Sequence, residues 1–197
     1  MHELTQLIKE DMRPALGVTE PGAIAYAVSK AKSYVPGELE QVTLLLNSGM
    51  YKNAYTCGIP NSHFYGNEYA AALGVIAGKP EKELESLANV TEADNVAAEQ
   101  LVKDGKIVVK MSEITSRIFI EARVKTTGGE AMVRIRDAHT NIVRIEANGE
   151  VEQLFETSDK EFIRSVFIEN TDVDTVKISG IATMLSDSEQ NAGNTQR

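Results

Sequence analysis

Three segments of the sequence carry side chains suited to proton transfer and to holding a small acid. The first, Arg13 to Pro21, reads Arg-Pro-Ala-Leu-Gly-Val-Thr-Glu-Pro. Thr19 can cap a helix, Glu20 suits the positive end of the helix dipole, and proline is tolerated in the first turn. Because the free amides at a helix start bind anions, this segment is either a capped turn between two helices or a carboxylate site.

The second segment, residues 52–66, is dense in asparagine, glycine and proline and contains Cys57 and His63. It is typical either of an irregular surface loop or of a substrate loop held by rigid elements. Cys57 and His63 could act as nucleophile and base, the pair that a cysteine hydrolase needs. A free cysteine is more often a small buried apolar residue, however, and the sequence shows no third residue that would orient the histidine.

The third segment, Asp137 to Val143, falls between two predicted strands. Asp, Thr and Asn side chains commonly bond the local backbone in such a turn. The same residues can instead gather donors and acceptors at a sheet edge, where His139 would titrate near neutral pH. Asp137 and His139 alone are too few ligands for zinc, so the segment predicts a turn or a polar site rather than a zinc centre.

Hydrophobic periodicity predicts the elements that must position these segments. It predicts helices over residues 4–12, 19–34, 67–77, 81–88 and 91–103, and a loop over 47–61. It predicts strands over residues 41–46, 107–111, 117–125, 131–136, 141–147 and 151–155. Arg134, Arg136 and Arg144 alternate with apolar residues, so we expect them on a solvated sheet face. The order of elements favours an α+β fold, with helices packed against one side of an antiparallel sheet that ends in a meander.

Composition excludes several classes of protein. The 197 residues are 42% hydrophobic and 25% charged, as in ordinary globular proteins, and the net charge of −9 disfavours nucleic-acid partners. One cysteine cannot form an internal disulfide or, from this chain alone, a multi-cysteine metal site. The apolar runs are far shorter than the ~20 residues of a membrane span, and Met1 to Leu4 does not resemble a signal peptide. We therefore expect a cytoplasmic protein without membrane contact.

Taken together, the three segments resemble the L-cysteine desulfidase family, also described as serine dehydratase-like alpha-chain proteins. Residues 13–21 are similar to its signature PALGCTEP. Residues 52–53, 58–60 and 70–74 are similar to its segments KNG, GIPG and AAALG, and residues 139–146 to HTNIV.IE. The matches follow the family's order, which makes them more specific together than any one of them alone.

The resemblance implies a cytoplasmic lyase of amino-acid catabolism that uses a 4Fe-4S cluster. Such an enzyme removes sulfide from L-cysteine or water from L-serine, and the aminoacrylate left behind hydrolyses to pyruvate and ammonia. Lewis-acidic iron would ligate the substrate while a base takes the α-proton. Val18 stands where the family has its catalytic cysteine, and the family's cluster cysteines lie in a C-terminal portion that this chain lacks. We therefore expect no metal ligands in this chain, and a cluster only if a missing C-terminal region or a partner subunit supplies the cysteines.

The resemblance also implies one shared site for the three segments. Thr19 and the helix amides would hold a carboxylate, and Glu20 or His139 would be the catalytic acid or base. The other substrate-binding candidates are Asn53, Gly58, Pro60, Thr140 and Asn141.

Residues 1–157 are predicted to form the family-like α+β domain. Residues 158–197 would form a capped helix and a polar tail, or the start of a missing C-terminal region. The chain is then the N-terminal domain of a longer enzyme, one subunit of a split enzyme, or a diverged relative that binds a small carboxylate without turning it over, as a regulatory protein would. In each case we expect a small amino-acid or carboxylate ligand and a homo-oligomer.

Overall fold

The structure is a computed structural model that describes residues 14–112, 114–115 and 117–154. The predicted helix over residues 4–12, the Arg13 end of the first motif, the boundary between residues 157 and 158, and the predicted capped helix and tail after it all lie outside the described residues.

The described residues form an α+β fold, as predicted. Four α-helices and one short 3-10 helix precede most of the sheet in the described ranges. They are α1 (Thr19–Lys32), α2 (Ser48–Tyr55), α3 (Asn67–Ala77), the 3-10 helix (Pro80–Glu85) and α4 (Glu92–Lys103). Helix α4 begins with the predicted capping box, in which Thr91 accepts from the Asp94 amide and Asp94 accepts from the Thr91 amide.

Within the same described ranges, six strands form one open sheet in the order β2-β1-β3-β4-β5-β6. The strands are β1 (Leu39–Leu46), β2 (Ile107–Met111), β3 (Phe119–Thr126), β4 (Gly129–Arg136), β5 (Ile142–Ala147) and β6 (Glu150–Leu154). Strands β3 to β6 make the predicted meander. Strand β2 departs from the antiparallel expectation because it pairs parallel to β1. A parallel pair needs a long crossover, and here residues 47–106, with α2, α3 and α4, provide it.

The core lies between the helices and one face of the sheet. In β1, Val42, Leu44 and Leu46 are fully buried. They lie opposite Val124, Ala122 and Ile120 of β3, which are also fully buried. Every second side chain of these two strands therefore faces the core.

Helices α1 and α3 pack closely through small side chains. Alanine and glycine dominate the buried face of each helix. A Cβ atom added at Gly74 of α3 would lie 2.8 Å from the Cα and 2.9 Å from the carbonyl oxygen of Ala25 in α1. The two helix backbones are therefore in direct contact at Gly74.

The predicted loop over residues 47–61 was wrong in its first half, which forms α2. Asn47, fully buried, precedes this helix. Its Nδ2 donates to the Thr115 carbonyl (2.7 Å) and its Oδ1 accepts from the Phe119 amide (3.0 Å). Tertiary contacts of this kind hold a short helix whose composition alone favours a loop.

Arg134 lies on the outer face of the sheet as expected, but its side chain is only 24% exposed, so this face is less solvated than the alternation suggests. Glu121 of β3, on the face away from the helices, is only 5% exposed. Its carboxylate accepts from Arg134 Nε of β4 (3.0 Å) and from Arg123 Nε of the same strand (2.8 Å). The outer face of the sheet therefore contains a buried carboxylate between two guanidinium groups.

Candidate functional site

The candidate site begins at the first turn of α1. The N-cap residue is Val18, whose side chain makes no capping hydrogen bond, so the predicted capping role of Thr19 was wrong. Instead, the Thr19 hydroxyl donates to Glu20 Oε2 (3.3 Å) and lies 3.5 Å from His139 Nε2. The hydroxyl thus links the start of α1 to a residue 120 positions later in the chain.

Helix α2 brings the second segment to the same carboxylate. Asn53 Nδ2 donates to Glu20 Oε1 at 3.2 Å. One helical turn further on, the Cys57 thiol donates to the backbone carbonyl of Asn53 at 2.8 Å. We call Thr19, Glu20, Asn53, Cys57 and His139 the Glu20 cluster. It unites residues of all three segments that the sequence singled out.

The turn between β4 and β5 positions His139. Asp137 has a positive φ of 66°, and the Ala138 amide donates to the Arg136 carbonyl at 2.8 Å. Asn141 Nδ2 donates to the same carbonyl at 2.9 Å. The Asn141 side chain therefore fixes the turn that presents His139. It bonds the local backbone, which is one of the two roles that the sequence analysis allowed for this segment.

The other candidate residues take no part in this hydrogen-bond network. Gly58 forms an isolated antiparallel bridge with Tyr65 and is exposed. Pro60 and Thr140 are half-buried. Within the described part of the chain, no hydrogen bond or ion pair joins Gly58, Pro60 or Thr140 to the Glu20 cluster.

Cys57 and His63 have different partners, so the structure does not bring them together as nucleophile and base. The His63 ring packs on Phe64, with 4.1 Å between ring centroids. Burial, and then the nearby Glu20 carboxylate, raise the pKa of the Cys57 thiol, whereas a nucleophilic cysteine needs a lowered pKa. Sequence reasoning did not place Cys57 beside Glu20. The available signal was that Cys57 follows Asn53 by four residues. This spacing brings the thiol to the Asn53 carbonyl only if a helix ends there.

His139 is half-buried, and burial lowers its pKa below 6.5, although the Glu20 carboxylate acts in the opposite direction. The ring is therefore mostly neutral at pH 7, the state in which an imidazole can accept a proton. The Glu20 cluster thus holds a neutral base, a protonated thiol and a carboxylate that accepts a hydrogen bond from the Asn53 side-chain amide. Next to them, the amides of Thr19 and Glu20 have no partner within α1, and Pro21 has no amide hydrogen.

The described residues lack the donor set that an iron–sulfur cluster requires. Across the described ranges, no group of three or more His, Cys, Asp or Glu side chains is placed to hold a metal ion. A cubane cluster uses about four thiolates, and Cys57 is the single cysteine of the sequence. The residues present therefore do not fit a 4Fe-4S cluster by themselves.

The Glu20 carboxylate affects the pKa of two neighbouring groups, the His139 imidazole and the Cys57 thiol. Because its charge raises the pKa of both His139 and Cys57, Glu20→Gln should lower both pKa values together. The His139 value can be read from the imidazole proton shifts, and the Cys57 value from the pH dependence of alkylation. Glu68→Gln, a change at another exposed carboxylate, is the matched control and should move neither. Unchanged values in Glu20→Gln would contradict the geometry of the cluster.

Comparison with known proteins relates the chain to proteins of one bacterial species. The chain is similar to UPF0597 proteins of Clostridium botulinum. One from strain Okra (Type B1) is 36% identical over 148 residues, which are 75% of this chain and 34% of the relative. One from strain Hall (Type A) is 34% identical over 148 residues. The chain therefore spans about a third of the length of these curated relatives.

No family model matches the sequence, and no solved structure matches it. None of the helices in residues 14–112, 114–115 and 117–154 is long and apolar enough to cross a lipid bilayer.

Proposed function

We propose that this chain provides the substrate-binding and proton-transfer part of a lyase that acts on a small amino acid, of the kind that L-cysteine desulfidases and L-serine dehydratases represent. The observation that supports the proposal is the Glu20 cluster. It joins by hydrogen bonds the three segments that carry the resemblance, although these lie up to 120 residues apart. The cluster contains both a base and proton donors, as an elimination requires.

Each residue has a role in this scheme. Thr19 and the first amides of α1 bind the substrate carboxylate, and Asn53 holds Glu20 in place. His139 Nε2, 3.5 Å from the Thr19 hydroxyl, accepts the α-proton. The electron pair left on Cα forms the double bond as the bond from Cβ to sulfur or oxygen breaks. The Cys57 thiol would protonate the leaving group, which gives aminoacrylate and hydrogen sulfide or water, and the proton held by His139 would then return to the Cys57 thiolate.

The 4Fe-4S cluster that the resemblance implies would be bound by polypeptide outside this chain, because the donor set of this chain does not fit it. The relatives give room for such a region, since the chain spans about a third of their length. We therefore propose an N-terminal domain or a subunit that works with a cysteine-bearing region and is inactive alone. A cytoplasmic location and a homo-oligomer belong to the same proposal.

Ligand binding tests the proposal without needing turnover. The chain, labelled for NMR, would be titrated with L-serine, with D-serine and with n-propylamine, which lacks the carboxylate. We expect L-serine to shift the signals of Thr19, Glu20 and His139, and His139→Ala to weaken binding about tenfold, or ~1.4 kcal/mol. His63→Ala, at an exposed histidine outside the cluster, should leave the affinity unchanged. Absent L-serine binding, or equal binding by His139→Ala, would refute the proposal.

The second candidate function is a non-catalytic carboxylate-binding or regulatory protein. Val18 at the position of the family's catalytic cysteine favours it, because a valine side chain can neither exchange a proton nor bind iron. This candidate predicts that acetate binds as well as L-serine, whereas the lyase predicts that loss of the amino group weakens binding. Anaerobic reconstitution with iron and sulfide adds a second test. If this chain alone turned brown and released sulfide from L-cysteine, the 4Fe-4S cluster could not be assigned to another region.

A further inference from the structure

A cavity of about 240 Å³ lies between the start of α3 and strand β2. Four of the chain's six tyrosines line it, namely Tyr51, Tyr55, Tyr65 and Tyr69. Tyr55 and Tyr65 are 61% and 66% exposed, so they form the rim. Tyr51 and Tyr69 are half-buried and form the walls. None of these residues belongs to the Glu20 cluster.

The walls of the cavity are held by contacts among its own rings. Tyr51 stacks on Tyr55 with 6.3 Å between centroids and 14° between ring planes, and Tyr69 stacks on Phe64 at 4.0 Å and 7°. Gly66, with φ of 93°, lets the chain pass so close to α2 that an added Cβ would lie 2.9 Å from the Tyr55 carbonyl oxygen. Tyr51, Tyr55 and Tyr69 thus have ring partners before any ligand arrives, which reduces the entropy cost of binding.

An unpaired acceptor lies among these residues. Asn67 lines the cavity and is only 4% exposed. Its Nδ2 donates to the Tyr51 carbonyl at 3.0 Å, which fixes the orientation of the amide. Its Oδ1 is buried and accepts no hydrogen bond from the described residues. A buried acceptor without a donor is destabilising, so a ligand whose N–H group reached it would relieve that cost on binding.

The charge of the cavity selects the ligand. Its lining residues include no lysine, arginine or histidine, and they include the exposed carboxylate of Glu68. Glu68 lies in the first turn of α3, where its charge offsets the positive end of the helix dipole. Tyrosine ring faces also attract cations. The Glu68 carboxylate and the tyrosine ring faces favour a positive charge, and the Asn67 oxygen in addition requires an N–H donor.

We propose that this cavity binds a primary alkylammonium group. The alkyl chain would lie among the tyrosine rings, the ammonium would donate to Asn67 Oδ1, and Glu68 would supply the counter-charge. A quaternary ammonium has the charge but no N–H, and a carboxylate has the wrong charge. The same head group can come from a free amine or from a lysine side chain of another protein.

Tyrosine fluorescence provides the measurement, because the chain has no tryptophan and most of its tyrosines line the cavity. The protein would be titrated with n-butylammonium, tetramethylammonium and butyrate. We expect a saturable change in tyrosine fluorescence with n-butylammonium. Tetramethylammonium should bind at least tenfold more weakly, and butyrate should not bind. A parallel titration with Nα-acetyl-lysine amide represents the lysine source, and tighter binding than that of n-butylammonium would assign the site to a protein partner.

Two variants separate binding from folding. Asn67→Ala should weaken n-butylammonium binding about tenfold, but it also removes the bond to Tyr51. Glu68→Gln changes an exposed side chain, and it should weaken binding severalfold while removing only the modest stabilisation that this charge gives the start of α3. Glu81→Gln, at an exposed carboxylate outside the cavity, is the matched control. Equal binding of n-butylammonium and butyrate, the absence of saturation, or unchanged affinity in both Asn67→Ala and Glu68→Gln would overturn the proposal.

Discussion

Gly74→Ala should destabilise the protein by about 2 kcal/mol, and Gly74→Val by more. In an exposed helix, glycine to alanine stabilises by about 1 kcal/mol, so the expected sign is reversed here. The reason is the contact between α1 and α3, where an added Cβ would lie 2.8 Å from the Cα of Ala25. A backbone atom cannot rotate away as a side chain can, so the helices must separate and the surrounding core loses contacts.

Urea unfolding followed by circular dichroism measures this effect as a lower transition midpoint. Gly17→Ala is the matched control, because a Cβ at Gly17 meets no atom within 4 Å and φ there is not positive. It should change the midpoint little. A Gly74→Ala variant as stable as the wild type would show that the two helices are not in backbone contact.

Glu121→Gln should cost about 3 kcal/mol of unfolding free energy at neutral pH. Removing one partner of a buried ion pair typically costs about 3–5 kcal/mol, because the remaining charge stays desolvated and unpaired. The side chains of Glu121 and Arg134 are 7% and 24% exposed, whereas that of Arg123 is 41% exposed. Solvent therefore stabilises Arg123 in part when Glu121 is removed, and the expected cost lies at the lower end of the range for buried pairs. Glu40→Gln is the control, because the pair of Glu40 with Lys125 is exposed and well screened.

The same carboxylate makes stability depend on pH. Burial acts to raise the pKa of Glu121, but the hydrogen bonds and charges of Arg134 and Arg123 outweigh burial, and the pKa lies below 4.5. A carboxyl group with a lowered pKa in the folded state contributes stability above its unfolded pKa, and that stability is lost as the pH falls through the folded value. The difference between wild type and Glu121→Gln should therefore shrink in acid. A difference that stays constant down to pH 2 would show that the ion pair is not the cause.

Local signals in the sequence predicted much of the fold. The bounds of α3 and the Thr91 capping box match the prediction, because glycines flank α3 and the box is complete within four residues. The meander was predicted because its hairpins close over short turns. The parallel pairing of β2 with β1 was not predicted, since the partner of a strand depends on contacts between distant residues.

The candidate site divides in the same way. Thr19, Glu20, Asn53 and His139 were expected to meet only because the three segments resemble one family. Cys57 was not placed there, because its position follows from the missed helix α2. The burial of Glu121 also depends on strand register, which sets it directly opposite Arg134. Alternation alone gives the face of a charged residue, but it does not give the residue across the strand.

The long crossover between β1 and β2 determines when the Glu20 cluster can assemble during folding. The turns that join β3 to β6 enclose few residues, so little chain entropy opposes their closure, whereas the β1–β2 pair encloses residues 47–106. The meander can therefore form first and already carry His139 on its turn. Asn53 and Cys57 belong to the crossover and arrive with the slower step. A chain caught halfway through folding would have the imidazole in position without the amide of Asn53 and the thiol of Cys57.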